Sequence, residues 1–268
     1  MDLVDIVMLA LIQGVTEFLP ISSSGHLALW PLLTGREDQG VTMDVAVHLG
    51  TLVAVCLYFR RDVARLFAGA WDVVRGRLST AEARLALLIV LATLPAVLAG
   101  SALKLSGAME SLRTIEVIGW TTLIGGALLW AADHFGPQHR SEPGWTWRGA
   151  LLMGLAQAMA LIPGTSRAGA CMTMARALGF KRSEAARLAL LMAVPTILAA
   201  GLVETAGVVA DGNLRLGAEL ALGALLSCLA ALVALTIMMR MFAATWTMLP
   251  FVIYRLLLGS GLLWIAYG

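Results

Sequence analysis

Residues 13–26 read QGVTEFLPISSSGH and residues 163–169 read PGTSRAG, and both polar strings lie within otherwise apolar sequence. Ionisable side chains are costly inside a membrane, and where they occur there they mark a functional site by default. Together the two strings supply a carboxylate, an imidazole, a guanidinium and several hydroxyls. This set of groups suits phosphate chemistry on a lipid.

The composition indicates a polytopic membrane protein. Of the 268 residues, 59% are hydrophobic and 13% are charged, and the mean hydropathy is +0.85. Soluble domains average about 25% charged residues, so a large soluble core is disfavoured. The formal net charge is only +2, which does not suggest a nucleic-acid partner.

Six stretches are long and apolar enough to cross a membrane as helices, because a span needs about 20 predominantly apolar residues. We therefore predict six transmembrane helices. Their approximate positions are residues 41–58, 84–103, 115–133, 184–204, 217–239 and 246–266.

The polar strings interrupt two further apolar regions. Residues 3–19 end at a proline, and the apolar return at 27–33 has seven residues. At 1.5 Å per residue this return covers about 10 Å, against a hydrocarbon core of about 30 Å. Residues 148–162 and 168–180 repeat the pattern. We therefore predict two re-entrant helical hairpins, whose broken tips must be buried in protein or line a wet cavity.

The two halves of the chain share one plan, a hairpin followed by three spans. Because three is an odd number, the halves would have opposite orientations, which is an inverted-topology repeat. We predict an all-α fold in which residues 1–268 form a single integral membrane domain. The repeats would occupy approximately residues 1–133 and 148–268.

Basic residues predict the orientation of the chain. With the first hairpin outside, thirteen of the nineteen Lys and Arg residues fall in cytoplasmic loops, and Arg36, Lys104, Arg113 and Arg215 fall outside. Cytoplasmic loops of membrane proteins carry such an excess. The first tip would then enter from outside and the second from the cytoplasm, so that they meet near the midplane. Helices beginning at the tips would direct backbone N–H groups at one place.

The second string contains a candidate phosphate ligand, Arg167, preceded by the hydroxyls of Thr165 and Ser166. A guanidinium suits bidentate capture of phosphate oxygens, and Gly164 permits close backbone approach to an anion. The alternative is that Arg167 extends to the headgroups or pairs with a structural carboxylate.

The first string contains candidates for proton and nucleophile chemistry. His26 could be a general acid, a general base, a nucleophile or a hydrogen-bonded interior histidine. Glu17, one helical turn after Gln13, could hold a divalent cation, orient His26 or counter Arg167. Ser23 is the candidate nucleophile by position, and Ser22, Ser24, Thr165 and Ser166 remain open.

Other polar residues give weaker signals. Asp44 and His48 either line a cavity or mark a helix edge, and Gln157 is interpreted as the echo of Glu17 in the second repeat. Arg255, inside the last span, is interpreted as a side chain that extends to the headgroups. The basic loop at 60–83 is interpreted as an amphipathic helix on the inner leaflet.

The two strings resemble the signature segments of the bacterial undecaprenyl-diphosphate phosphatase family of the bacitracin-resistance type. The resemblance extends to FKRSEAAR at 180–187, LMAVP at 191–195 and FVIYRLLLG at 251–259. It covers essentially the whole chain. One departure is that the family's motif continues Ser-x-x-Thr after its arginine, whereas this chain has Ala168 and Cys171.

The resemblance implies a multi-pass enzyme of the bacterial plasma membrane that removes one phosphate from undecaprenyl diphosphate. This reaction recycles the lipid carrier of peptidoglycan synthesis. The resemblance also implies a site open to the outer face and a divalent cation, Mg²⁺ or Ca²⁺. We predict four catalytic residues, with Glu17 also a metal ligand, and six substrate-binding residues. The catalytic set is Glu17, Ser23, His26 and Arg167, and the binding set is Gln13, Ser22, Ser24, Gly164, Thr165 and Ser166.

The main alternative is a lipid-carrier flippase or transporter, because inverted repeats with broken helices at mid-depth are typical of transporters. Phosphate release by the purified protein distinguishes the enzyme from a protein that only moves the lipid.

Overall fold

The computed structural model describes residues 2–35, 40–107, 110–208 and 214–268, without the side chains of residues 41, 110, 202–208 and 214–216. Arg36 and the side chain of Arg215, which the orientation prediction places outside, lie beyond the described parts.

The described residues form eleven α-helices and no β-strand, which confirms the predicted all-α class. In chain order the helices are α1 (Leu3–Thr16), α2 (Ser23–Thr34), α3 (Gly40–Tyr58), α4 (Arg60–Val74), α5 (Ala81–Ser106), α6 (Ile115–Phe135), α7 (Trp147–Met159), α8 (Arg167–Ala177), α9 (Arg182–Val208), α10 (Leu214–Ala243) and α11 (Leu249–Tyr267).

The predicted spans correspond to helices α3, α5, α6, α9, α10 and α11. By length and composition, five helices of the described chain could each cross a membrane. The sixth candidate is α3 together with α4, which meet at a bend of 93°. Many large apolar side chains on these helices are exposed, including Leu98, Leu128 and Leu257. Such exposure is expected where the surrounding solvent is hydrocarbon.

Local sequence sets the starts of several helices. Thr80, Thr114 and Thr146 each precede a helix in extended conformation and accept a hydrogen bond from the backbone N–H three residues on. These threonines are N-caps, which satisfy one of the backbone donors left unpaired at a helix start.

The predicted hairpins are present as the short helix pairs α1–α2 and α7–α8. Each first arm packs against a span of the other half of the chain, α1 on α10 and α7 on α5. Helix α8 packs between α6 and α9. Each hairpin therefore packs against long helices on one face and exposes large apolar side chains on the other, such as Leu11 and Leu155. The broken tips have protein partners. The inverted repeat itself stays a prediction.

Helix α4 has the amphipathic character predicted for the basic loop. Phe67 and Trp71 are exposed on it, and Val63 is buried. Gly69 lies against the backbone of Glu82, so α4 packs closely on the start of α5. Its location on the inner leaflet stays a prediction.

Charged networks connect the ends of helices that the prediction places in the cytoplasm. Arg187 on α9 forms an ion pair with Asp62 on α4. Its Nη2 also donates to Oε2 of Glu142 at 2.8 Å. Arg65 makes a bidentate pair with Glu142 at 2.9 and 3.0 Å. Burial raises the pKa of Glu142, but the hydrogen bonds from the two arginines lower it more, so that it lies below the ordinary value of 4.5.

Candidate active site at the hairpin tips

The two hairpin tips have the same local structure. Helices α2 and α8 each begin after a serine with positive φ, Ser22 at 78° and Ser166 at 69°. Each serine hydroxyl caps its helix by accepting a hydrogen bond from the N–H of Gly25 or Gly169. Non-glycine residues are uncommon at positive φ and cluster at functional sites. The two serines predicted to bind substrate therefore also shape the tips.

The side chain of Arg255 contacts the backbone of both tips. Its guanidinium is fully buried, so the interpretation that it extends to the headgroups is wrong. Gly125 on α6 gives it room, because a Cβ there would collide with the guanidinium. It donates to five backbone carbonyls at 3.0–3.2 Å, those of Pro20 in the first tip, Gly164 and Thr165 in the second, and Thr121 and Thr122 on α6.

Gly164 and Thr165 contribute to the backbone structure of the second tip. Gly164 has a φ of 87°, and a Cβ there would collide with Thr121 and Ile118 on α6. The Thr121 hydroxyl donates to the carbonyl of Pro163 at 2.6 Å. Neither Gly164 nor Thr165 lines the cavity described below.

The carboxylate of Glu17 contacts side chains of both tips. Its Oε1 accepts a hydrogen bond from Arg167 of the second tip. Its Oε2 accepts from Ser23 at 2.5 Å and from Gln13 at 2.9 Å. Gln13 and Glu17 are buried, and Ser23 is 9% exposed. The ion pair links two residues 150 positions apart, so the predicted meeting of the hairpins is present in the structure.

Arg167 keeps one donor free of protein partners. Its Nη1 is buried and, within the described chain, has no hydrogen-bond partner. An unpaired buried N–H costs roughly 1–3 kcal/mol, more when it is charged, so such an atom needs a functional explanation.

Glu17 and Arg167 border a cavity of about 290 Å³. Its polar end is lined by Glu17, Ser22, Ser23, Ser24, Ser166 and Arg167. Its apolar side is lined by Val45 and Leu49 of α3, by Ile197, Ala200 and Gly201 of α9, and by Ala160 of the second tip. The Ser24 hydroxyl lies 3.4 Å from that of Ser22. One chamber therefore combines a polar end, which carries the Arg167 guanidinium, with an apolar wall.

His26 does not itself line the cavity, although it contacts Ser22, which does. Its Nδ1 is 2.6 Å from the carbonyl oxygen of Ser22, and its Nε2 is 2.5 Å from the hydroxyl of Tyr254 on α11. The two rings stack at 15° with 5.7 Å between centroids. Because a carbonyl only accepts, Nδ1 carries the proton and the tyrosine donates to Nε2. The sequence reasoning missed Tyr254, which precedes Arg255 inside an apolar span.

The imidazole in the cavity is that of His48, on α3. Asp44, one turn earlier, also lines the cavity, so both weaker candidates are cavity residues. Gln157 has a different position, because its amide binds the carbonyl of Ala92 at 3.2 Å and the hydroxyl of Thr196 at 3.3 Å. It joins α7 to α5 and α9. Cys171, at the position of the family's threonine, is fully buried.

Few side chains of the protein are placed to coordinate a divalent cation at this site. Within the described residues, no group of three or more His, Cys, Asp or Glu side chains is arranged to hold a metal ion. One observation favours a cation here. Gln13, hydrogen-bonded to Glu17, has a buried Oε1 without a partner in the described chain. The residues therefore fit a cation that takes its remaining ligands from substrate oxygens, as Mg²⁺ commonly does.

The sequence is similar to known proteins over its whole length. The family model for the bacitracin resistance protein BacA matches residues 6–261. The undecaprenyl-diphosphatase of Ruegeria pomeroyi is 51% identical over 268 residues, all of both chains, and that of Dinoroseobacter shibae is 52% identical over the same length. The undecaprenyl-diphosphatase of Alcanivorax borkumensis is 46% identical over 267 residues, which is 99% of this chain and all of the relative. On this match, the chain belongs to the BacA family of multi-pass membrane proteins.

Proposed function

We propose that this protein hydrolyses undecaprenyl diphosphate to undecaprenyl phosphate and inorganic phosphate, in the bacterial inner membrane. This is the substrate named for the relatives. The observation that carries the proposal is the pair of groups at the polar end of the cavity. Arg167 has a buried N–H that finds no partner among the described residues, and Ser23 donates its hydroxyl proton to Glu17 on the other side of the same carboxylate.

The chemistry begins with capture of the terminal phosphate by Arg167, whose free Nη1 binds an anionic oxygen. Ser23 Oγ attacks the terminal phosphorus, and its proton passes to Glu17, which is already within hydrogen-bond distance. The bond from phosphorus to the bridging oxygen breaks, and the lipid monophosphate leaves. Water then hydrolyses the phosphoserine, releasing inorganic phosphate. Because phosphoryl transfer depends chiefly on positioning and charge stabilisation, the paired tips account for the catalysis.

The cation proposed with this activity, Mg²⁺ or Ca²⁺, would be held by Glu17 and by oxygens of the diphosphate. When bound it would neutralise charge on the substrate. Glu17 would then both bind the cation and accept the proton of Ser23, because the same carboxylate is hydrogen-bonded to Ser23.

The polyprenyl chain would follow the apolar wall formed by α3 and α9. Val45 and Leu49 are one helical turn apart, as are Ile197 and Gly201, so each helix presents apolar residues to the cavity on successive turns, beside Asp44 and His48 on α3 and Thr196 on α9. The cavity also reaches Asp44 and Ala200, towards the ends of α3 and α9 that the distribution of basic residues places outside. We infer that the site takes its substrate from the outer leaflet.

Phosphate release from farnesyl diphosphate by the purified protein tests this function. Arg167→Ala is expected to lower kcat/KM by about 10²–10³-fold, the usual effect of losing one charge-stabilising donor. The matched control is Arg61→Ala, an exposed arginine on α4, which should keep wild-type activity. Transfer of the lipid between leaflets without phosphate release would instead support the flippase.

A further inference from the structure

The first tip is supported by a pair of aromatic side chains. The hydroxyl of Tyr254 on α11 lies 2.5 Å from Nε2 of His26, and Nδ1 of His26 lies 2.6 Å from the carbonyl oxygen of Ser22. In the second tip, the position four residues after the capping serine Ser166 is Ala170, which has no polar side chain. The two tips therefore have the same backbone turn, but an imidazole at this position supports only the first.

The contacts of the imidazole fix the direction of each hydrogen bond. The Ser22 carbonyl only accepts, so Nδ1 carries the proton, and the tyrosine hydroxyl must donate to the lone pair on Nε2. Tyr254 therefore stabilises the one neutral tautomer of His26 that can hold Ser22. The stacking of the two rings, with 15° between their planes, keeps the imidazole in this orientation.

Ser22 has a backbone conformation that needs such support. Its φ of 78° is costly for a residue with a side chain, and such a conformation persists only where several contacts impose it. The Ser22 hydroxyl accepts from the N–H of Gly25 at 3.3 Å, and its carbonyl accepts from the backbone N–H of His26 at 3.3 Å. The contact with Nδ1, at 2.6 Å, is the shortest of the three, so the imidazole is the tightest constraint on this residue.

The conformation of Ser22 determines where the next side chain points. Ser23 follows directly, and its hydroxyl donates to Glu17 at 2.5 Å. Helix α11 also fixes the turn from its other side, because Arg255 donates to the carbonyl of Pro20 at 3.1 Å. Reactive atoms that are displaced by about 1 Å can lose about 10²-fold in rate, so a relaxed turn would slow attack by Ser23.

We propose that His26 and Tyr254 are positioning residues, which hold the turn that places the Ser23 hydroxyl on Glu17. This inference rests on the proposed function, in which Ser23 attacks the terminal phosphorus. It assigns His26 a role different from that of an acid, a base or a nucleophile. Both ring nitrogens are already hydrogen-bonded, and the ring does not line the cavity. Tyr254 acts through His26 rather than on the substrate.

Tyr254→Phe tests the proposal, because it keeps the stacked ring and removes only the hydroxyl. With farnesyl diphosphate and the purified full-length protein, we expect kcat to fall at least about fivefold, the effect of leaving one hydrogen-bonding group unpaired, while KM changes less than about twofold. Tyr267→Phe is the matched control, an exposed tyrosine at the end of the same helix, and it should keep the wild-type kcat.

Substitutions of His26 separate positioning from proton transfer and nucleophilic attack. In His26→Asn, the side-chain amide can still donate to the Ser22 carbonyl from the place of Nδ1, but it cannot replace Nε2. We expect His26→Asn to keep kcat near that of Tyr254→Phe, and His26→Ala, which has no donor, to lose at least about tenfold more. Adding Tyr254→Phe to His26→Asn should lower kcat less than about twofold, because the hydroxyl has already lost its partner.

The ring nitrogens of His26 provide a readout apart from activity. In ¹⁵N spectra of the histidine-labelled protein, the His26 signals are identified by their absence in His26→Asn. The wild type should show the proton on Nδ1. Tyr254→Phe should move the Nε2 resonance, because that lone pair loses its hydrogen bond, and Tyr267→Phe should leave it unchanged.

Two results would overturn the inference. One is a Tyr254→Phe variant with the wild-type kcat, and the other is a His26→Asn variant as inactive as His26→Ala, which would show that Nε2 takes part in the chemistry. Should His26→Asn fail to fold, as judged by thermal unfolding, the result for Tyr254→Phe decides alone. Either result in a protein that releases phosphate refutes only the positioning role, whereas a wild type that releases no phosphate refutes the proposed function.

Discussion

Arg167 and Arg255 are two intramembrane arginines with different uses. Arg255 is saturated by backbone carbonyls of both tips and of α6, so it has a structural role. Arg167 pairs with Glu17 but keeps a buried N–H that has no partner in the part of the chain that the structure describes. The distinction depends on what surrounds each guanidinium, because both residues have the same chemistry and both lie in apolar sequence.

Replacing Arg255 with lysine should loosen the tips although the charge is kept. A single ammonium cannot reach all five carbonyls, and each buried carbonyl left unpaired costs on the order of 1–3 kcal/mol. We expect Arg255→Lys to lower the melting temperature in detergent and to reduce kcat at least tenfold. Arg240→Lys, at an exposed position on α10, is the control. Equal melting temperatures for the two variants would contradict the clamp role of Arg255.

At the level of elements, the hairpins carry the proposed reactive groups, and α3 and α9 supply the apolar wall. The division predicts that substitutions on the wall act on the lipid chain and leave the diphosphate contacts intact.

Ala200→Leu should narrow the apolar side of the cavity. We expect it to raise KM for undecaprenyl diphosphate at least tenfold, since displacing a buried isoprene unit costs roughly 1.5–3 kcal/mol. KM for the five-carbon isopentenyl diphosphate should change less than threefold. Leu198→Ala, on the same helix but outside the cavity lining, is the control. An equal effect on both substrates would show that Ala200 does not contact the chain.

The loop between α6 and α7 gives a prediction about pH. The pKa of Glu142 is lowered in the folded protein, so its ionised form stabilises the fold above the unfolded value and this contribution is lost as pH falls through the folded pKa. We expect the melting temperature to drop on acidification from pH 7 to below about 4, a window set by the ordinary carboxyl pKa. Glu142→Gln should melt lower at pH 7 and show a smaller drop. Unchanged pH dependence in this variant would rule out the network as the cause.

At the scale of the whole molecule, most of the fold could be predicted from hydrophobic length and from broken apolar regions. The long apolar helices, the two short helix pairs and the helix at 60–74 follow from such local patterns. The pairing of Glu17 with Arg167 could be predicted only as one of several alternatives, because it needs the two tips to meet.

Contacts between distant helices could not be read from local sequence. Tyr254 beside His26 and the carbonyl partners of Arg255 depend on how α11 packs against α6 and the tips. The predicted proximity of His26 to the reactive groups assumed that neighbours in sequence share a cavity. Residues at the start of a helix point in different directions, and here His26 faces Tyr254 while Ser23 faces Glu17.

The central claim is that the two hairpins form one catalytic site, and a double-mutant cycle on kcat/KM tests it directly. The variants are Glu17→Gln in the first hairpin, Arg167→Ala in the second, and the two combined. Residues that act as a unit have non-additive effects, so we predict that the double variant is no more than about tenfold worse than the worse single variant. Losses that multiply, so that the double variant falls by the product of the single effects, would mean that the two tips act independently and would contradict this account.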